Sequence, residues 1–156
     1  SKEGEYGFGD VAYERTSFAE REGGKEFVGT QTALWGITAG VYLALMGPQG
    51  MYELGKTILQ KSQYAMQRIS EIKGIKTPRF NSPHFKEFVV DFGKTLKKIK
   101  TINESLCMKG IFGGHDLTSE FPEFGECSLF CITECHTQKD IDYLVEALEE
   151  ILGNAR

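Results

Sequence analysis

An excess of basic residues is missing from this chain. Against 18 lysines and arginines stand 22 aspartates and glutamates, a formal net charge of -4 over 156 residues. A nucleic-acid binder normally presents a basic face, so that class is set aside. Long apolar runs are missing as well. The most apolar stretch, ALWGITAGVYLALMG within residues 29–50, is about fifteen residues, short of the roughly 20 that a membrane span takes. No membrane insertion is expected. The opening residues carry charges throughout and no apolar block, so no secretory leader is expected and the chain is placed in the cytoplasm. Internal repeats and low-complexity segments are also missing. What remains is ordinary soluble-protein chemistry, with 40% hydrophobic and 26% charged residues, in a length that suits one domain with a real core.

Residues 1–28, rich in glycine, aromatics and charge, show no sustained helical period and read as an extended arm severed from a larger domain. Residues 29–156 form the domain proper. A helix is expected from residue 30 to 46, stopped by Gly47-Pro48, and a second from 49 to 72 with Leu54, Ile58, Ala65, Ile69 and Ile72 on one face. KEFVVDF (86–92) reads as a strand. Gly93 then precedes a helix carrying Leu96, Ile99, Ile102 and Leu106, whose solvated face would hold Lys94, Lys97, Lys98 and Lys100. GIFGG (110–114) reads as a short strand or turn and CSLFCITE (127–134) as a strand. Thr137 and Asp140 make a capping-box-like start to a closing amphipathic helix that ends at Gly153. Two helices followed by strand, helix, strand, strand and helix define an α+β domain with a small antiparallel or mixed sheet covered by helices.

The first helix is apolar nearly all round, so it must be covered on all sides, by its own domain or by a partner. Leu34, Trp35 and Leu43 are the candidate interface residues, with Gly36 and Gly40 letting another backbone come close. An isolated chain is expected to self-associate through this region.

Residues 50–57, GMYELGKT, fit the phosphate-loop pattern through Gly50, Gly55, Lys56 and Thr57. A phosphate loop comes off a buried strand and turns glycine-rich backbone inward. Here a helix precedes it, and the variable positions Met51, Tyr52, Glu53 and Leu54 are bulky helix formers. Lys56 is therefore read as an exposed helical lysine, with a nucleotide-binding module as the alternative. A second GKT at 93–95 has Phe88 where the first glycine is needed.

Cys127, Cys131 and Cys135 with His136 resemble a metal set, but the first two lie on a strand. Thiols four residues apart there stand roughly 13 Å from each other, too far for one tetrahedral zinc. They are read as free core cysteines, together with Cys107, and no metal is expected. GGHD (113–116) admits a ligand approach, with His115 and Asp116 able to orient one another, yet no nucleophile is placed to complete a triad.

Four segments taken in order resemble the glycine dehydrogenase (decarboxylating) family, the P-protein of the glycine cleavage system, and most of all subunit 1 of its split form. They are residues 21–55, FNSPHFKEFVV (80–90), GIFGGHDLTSEFPEFGECSLFCITE (110–134) and DIDYLVEAL (140–148). The resemblance implies a C-terminal fragment, the small domain of a pyridoxal-phosphate enzyme of the aspartate-aminotransferase fold type. It further implies that glycine is decarboxylated on the cofactor and its aminomethyl group passed to the lipoylated H-protein. The lysine that holds pyridoxal phosphate is implied to lie in subunit 2, in an H-K-T-F type segment that this chain lacks. The chain alone would then be inactive. Thr30 matches a family threonine and is implied to lie near the subunit interface or the cofactor phosphate.

Overall fold

A computed structural model of the protein describes residues 33–153. The arm expected over residues 1–28 and the candidate Thr30 lie outside the described residues. The chain divides into two compact units, Ser1–Met46 and Gly47–Arg156.

The division falls inside the first helix, α1 (Ala33–Ser70), at Gly47, whose φ of 60° and ψ of -178° are non-helical. Pro48 follows it and has no N–H for the preceding turn. The expected Gly47-Pro48 stop is therefore real. In the first unit, the described residues 33–45 are exposed throughout.

The second unit holds a three-stranded antiparallel sheet in the order β1-β3-β2, made of β1 (Glu87–Asp91), β2 (His115–Asp116) and β3 (Cys127–Cys131). Period-2 alternation gives the sheet two apolar faces. Phe88, Val90 and Phe130 face the main core, where Ala65, Met66 and Ile69 of α1 meet α2 (Ile99–Met108) and α3 (Gln138–Leu152). Those two helices contribute Ile99, Ile102, Leu106, Ile141, Leu144, Val145 and Leu148. Burying each such side chain is worth about 1.5–3 kcal/mol, so this core holds the unit together. On the opposite face Val89 and Cys127 pack against Leu117 and Phe124 of the 117–126 loop. That loop is why β1 is buried on both sides, with the pattern exposed, buried, buried, buried, intermediate.

The closing helix begins as its sequence requires. The Thr137 hydroxyl accepts the Asp140 N–H, and an Asp140 carboxylate oxygen accepts the Thr137 N–H at 2.7 Å. Gly153 ends it in the left-handed conformation. Arg68 and Tyr64 of α1 both donate to Asp142, at 2.8 and 2.6 Å, and fix α3 against α1's second half.

Two expectations change. The helix read from Leu96 onward begins only at Ile99, because its first N–H is accepted by the distant Glu126 carboxylate at 2.9 Å. Leu96 therefore stands outside it, in a left-handed conformation and 96% exposed. The lysine run is not one helix face: Lys94 sits in a 3-10 turn, Lys97 and Lys98 precede α2, and Lys100 alone is helical. Lys97 reaches the Ile151 carbonyl at the end of α3, where a cation suits the helix dipole. Of the two readings of 110–114, the strand does not form, and β2 starts at His115.

Candidate functional site

The four phosphate-loop positions, Gly50, Gly55, Lys56 and Thr57, lie within continuous helix of α1. Most of their N–H groups are spent on helical hydrogen bonds, and no loop exists to turn them onto a phosphate. The 93–95 GKT is a 3-10 turn whose Thr95 hydroxyl donates to the Phe92 carbonyl.

The cysteines correct the sequence reading. Cys127 is a core residue, held between the Phe124 carbonyl at 3.1 Å and Arg79 at 3.2 Å, but Cys107, Cys131 and Cys135 are exposed. Cys127, Leu129 and Cys131 share a sheet face, and the 117–126 loop covers only the first two positions. Burial pushes the Cys127 thiol pKa up, and nearby Asp91 adds to it, so this sulfur is inert as a nucleophile. Among the described residues no three histidines, cysteines or carboxylates gather as a metal set.

His115 pairs with Glu120 at 2.9 Å, and Asp116 accepts from the Thr118 N–H and hydroxyl instead. The two neighbours do not orient one another. His136 accepts the Thr133 N–H through Nδ1 at 3.0 Å and so closes the turn before α3.

The described residues build a concavity of useful size. A groove of about 750 Å³ runs between the 110–115 loop, the end of β3 and the start of α3. Leu129, Ile132 and Leu144 contribute apolar surface, while Glu87, His136 and Asp140 bring polar groups to it. The loop wall is fixed from several directions. Asn103 donates to the Gly114 carbonyl at 2.9 Å, Ser128 to the His115 carbonyl at 2.9 Å, and Tyr143 to the Lys109 carbonyl at 3.1 Å. A Cβ at Gly113 would collide with the Asn103 amide, and one at Gly114 would lie 2.6 Å from the Phe130 ring. Phe112, between these anchors, is 97% exposed. The sequence marked this loop through its paired glycines, but neither the groove nor the display of Phe112 was foreseen.

The other candidate surface is the first half of α1. Leu34 (76%), Trp35 (73%) and Leu43 (53%) are exposed, as are Ile37, Val41 and Leu45. Gly36 and Gly40 have nothing within 4 Å of an added Cβ. Among the described residues no helix is long and apolar enough to cross a membrane. Both surfaces have the exposed apolar area that suits binding.

No family model matches the chain. Its α+β fold is shared with part of a larger solved protein, "glycine decarboxylase (P-protein) of the glycine cleavage system, in inhibitor-bound form", at a TM-score of 0.73 and 25% identity, over 90% of this chain and 31% of that one. The class is therefore that of P-protein-like α+β domains. The "Probable glycine dehydrogenase (decarboxylating) subunit 1" of Staphylothermus marinus is 36% identical over 156 residues, 100% of this chain and 33% of the relative. Its namesake from Sulfurisphaera tokodaii is 40% identical over 151 residues, 97% of this chain and 31% of the relative. This chain is a homologue of glycine dehydrogenase (decarboxylating) subunit 1, as the four ordered segments implied, and spans about a third of the length of these curated relatives.

Proposed function

We propose that this chain is the C-terminal domain of glycine dehydrogenase (decarboxylating) subunit 1, inactive alone. Within the assembled enzyme, pyridoxal phosphate on subunit 2 supplies the electron sink for glycine decarboxylation, and the aminomethyl group leaves on the lipoylated H-protein. The observation that supports this most is the 36% identity running the whole length of the chain against one third of a subunit 1 relative.

The described residues do not fit the cofactor's own need. Imine formation takes an uncharged, desolvated lysine, and no lysine is among the buried residues described. Lys109 has its pKa raised by the hydrogen bond to Glu150. No chemical step is therefore assigned to these residues, and their part in the reading is assembly. The exposed apolar face of α1, through Leu34, Trp35 and Leu43 with Gly36 and Gly40 between them, meets the rest of the enzyme. Exposed apolar patches of this kind mark interaction sites.

The test is reconstitution. The chain, the part of the relative it does not cover, subunit 2 and lipoylated H-protein should together release labelled carbon dioxide from carboxyl-labelled glycine. Omitting this chain should abolish the release. The chain with pyridoxal phosphate alone should give no adduct on reduction with borohydride. An equal rate without the chain, or a stoichiometric reduced adduct on one of its lysines, overturns the proposal.

A further inference from the structure

The alternation of hydrogen bonds in the sheet leaves one rung open inside the groove. Ile132 donates to the Lys86 carbonyl at 2.8 Å and Phe92 to the Glu126 carbonyl at 2.8 Å. Residues 128, 130 and 132 of the β3 strand line therefore face β1, and 127, 129 and 131 face the β2 side. On that side Leu117 donates to the Cys127 carbonyl at 3.0 Å, and His115 lies opposite Leu129. The next rung would set Gly113 against Cys131. It does not form: β2 reaches no further than His115, and no Gly113–Cys131 backbone hydrogen bond is made. The backbone N–H and C=O of Cys131 are left at the open edge, and Cys131 lines the groove.

Beside this edge stands Phe112, fully displayed on a loop that its glycine contacts and hydrogen bonds hold in place. An exposed aromatic on a preorganised support has the character of an interface anchor. Glu87 and Asp140 line the same groove, and Asp140 keeps its negative charge while its Oδ2 accepts from Thr137. An unpaired strand edge accepts extended backbone, and carboxylates at its sides favour a basic side chain.

We propose that this groove seats an extended segment, carrying at least one lysine or arginine, from the part of the same subunit that this chain does not cover. The segment adds a backbone rung at Cys131 and covers Phe112. The proposal rests on the subunit 1 reading, in which relatives three times as long as this chain supply the missing polypeptide; the chain spans 33% of the Staphylothermus marinus protein.

The experiment uses the chain with Cys107→Ser and Cys135→Ser, leaving Cys131 as the exposed thiol, and the uncovered part of the Staphylothermus marinus relative as a separate polypeptide. Complex formation is read by sedimentation. Maleimide labelling of Cys131 and hydrogen exchange at its amide should both slow by about tenfold or more in the complex. Phe112→Asp should weaken the complex by about 10–100-fold. Leu96→Asp, equally exposed elsewhere, should leave it unchanged. A complex that forms with Cys131 unprotected and Phe112→Asp neutral overturns this proposal and leaves the subunit reading standing. No complex at all overturns both. Protection that grows with the concentration of the chain alone, or appears only with subunit 2, names a different occupant and also overturns it.

Discussion

Replacing Gly114 with alanine tests whether the groove wall is built by close packing. The added Cβ would lie 2.6 Å and 2.7 Å from two atoms of the Phe130 ring, and closer still to the Ser128 hydroxyl. Neither neighbour yields cheaply. Phe130 is 5% exposed and stacks on Phe88 with ring centroids 6.3 Å apart, and Ser128 is 1% exposed and donates to the His115 carbonyl. Overpacking of this kind costs about 1–3 kcal/mol. In a chain of this size each kcal/mol lowers the melting midpoint by roughly 2–4 °C. Gly55→Ala is the matched control, because Gly55 lies inside α1 with nothing within 4 Å of an added Cβ. There the substitution removes a helix-interior glycine and should stabilise by about 0.5–1 kcal/mol. Urea denaturation reads both through the midpoint at constant slope. The two variants should move in opposite directions. If Gly114→Ala matches the wild type within about 0.5 kcal/mol while Gly55→Ala behaves as expected, the wall is not close-packed and the reasoning fails.

Ser62 is fully buried and its hydroxyl has no hydrogen-bond partner, so Ser62→Ala should be neutral or stabilising by up to about 1 kcal/mol in the same denaturation assay. Thiol labelling near pH 8 should show Cys107, Cys131 and Cys135 reacting fast and Cys127 only after unfolding, since Cys127 is buried and its pKa is raised; four equally fast thiols would contradict this. Hydrogen bonds from Thr137, through its side chain first and its backbone second, hold the Asp140 pKa below the ordinary aspartate value. A lowered folded pKa means that its support of α3 is present above the unfolded value, about pH 4, and fades as pH falls through the lower folded value. An NMR titration placing the Asp140 carboxyl at the ordinary value would remove the effect. The isolated chain should self-associate through the first half of α1, and Trp35→Asp should shift sedimentation toward monomer without loss of helicity; a strict monomer at high concentration would count against that face.

Much of the fold was legible because local chemistry coincided with tertiary outcome. Thr137 and Asp140 satisfy each other's backbone within one turn, so the start of α3 needed no distant partner. Gly47-Pro48 breaks helical geometry wherever it occurs. Leu96 was misplaced for the opposite reason, since Ile99 is capped by Glu126 from 27 residues away. The cysteines failed similarly. Alternation put Cys127 and Cys131 on one face, but only the reach of the 117–126 loop determined which of them is covered.

By itself the sequence determined the periodicities, the caps and breaks, the α+β class and, through four ordered segments, the relationship to glycine dehydrogenase subunit 1. These depend on residues near each other in the chain or on the order of segments along it. The tertiary structure alone decided that the paired glycines at 113 and 114 lie against Asn103, Ser128 and Phe130, that Phe112 is turned outward, and that the sheet ends one rung short at Cys131. Each of these is set by atoms brought together across 10 or more residues, where steric fit and hydrogen-bond competition leave no local trace.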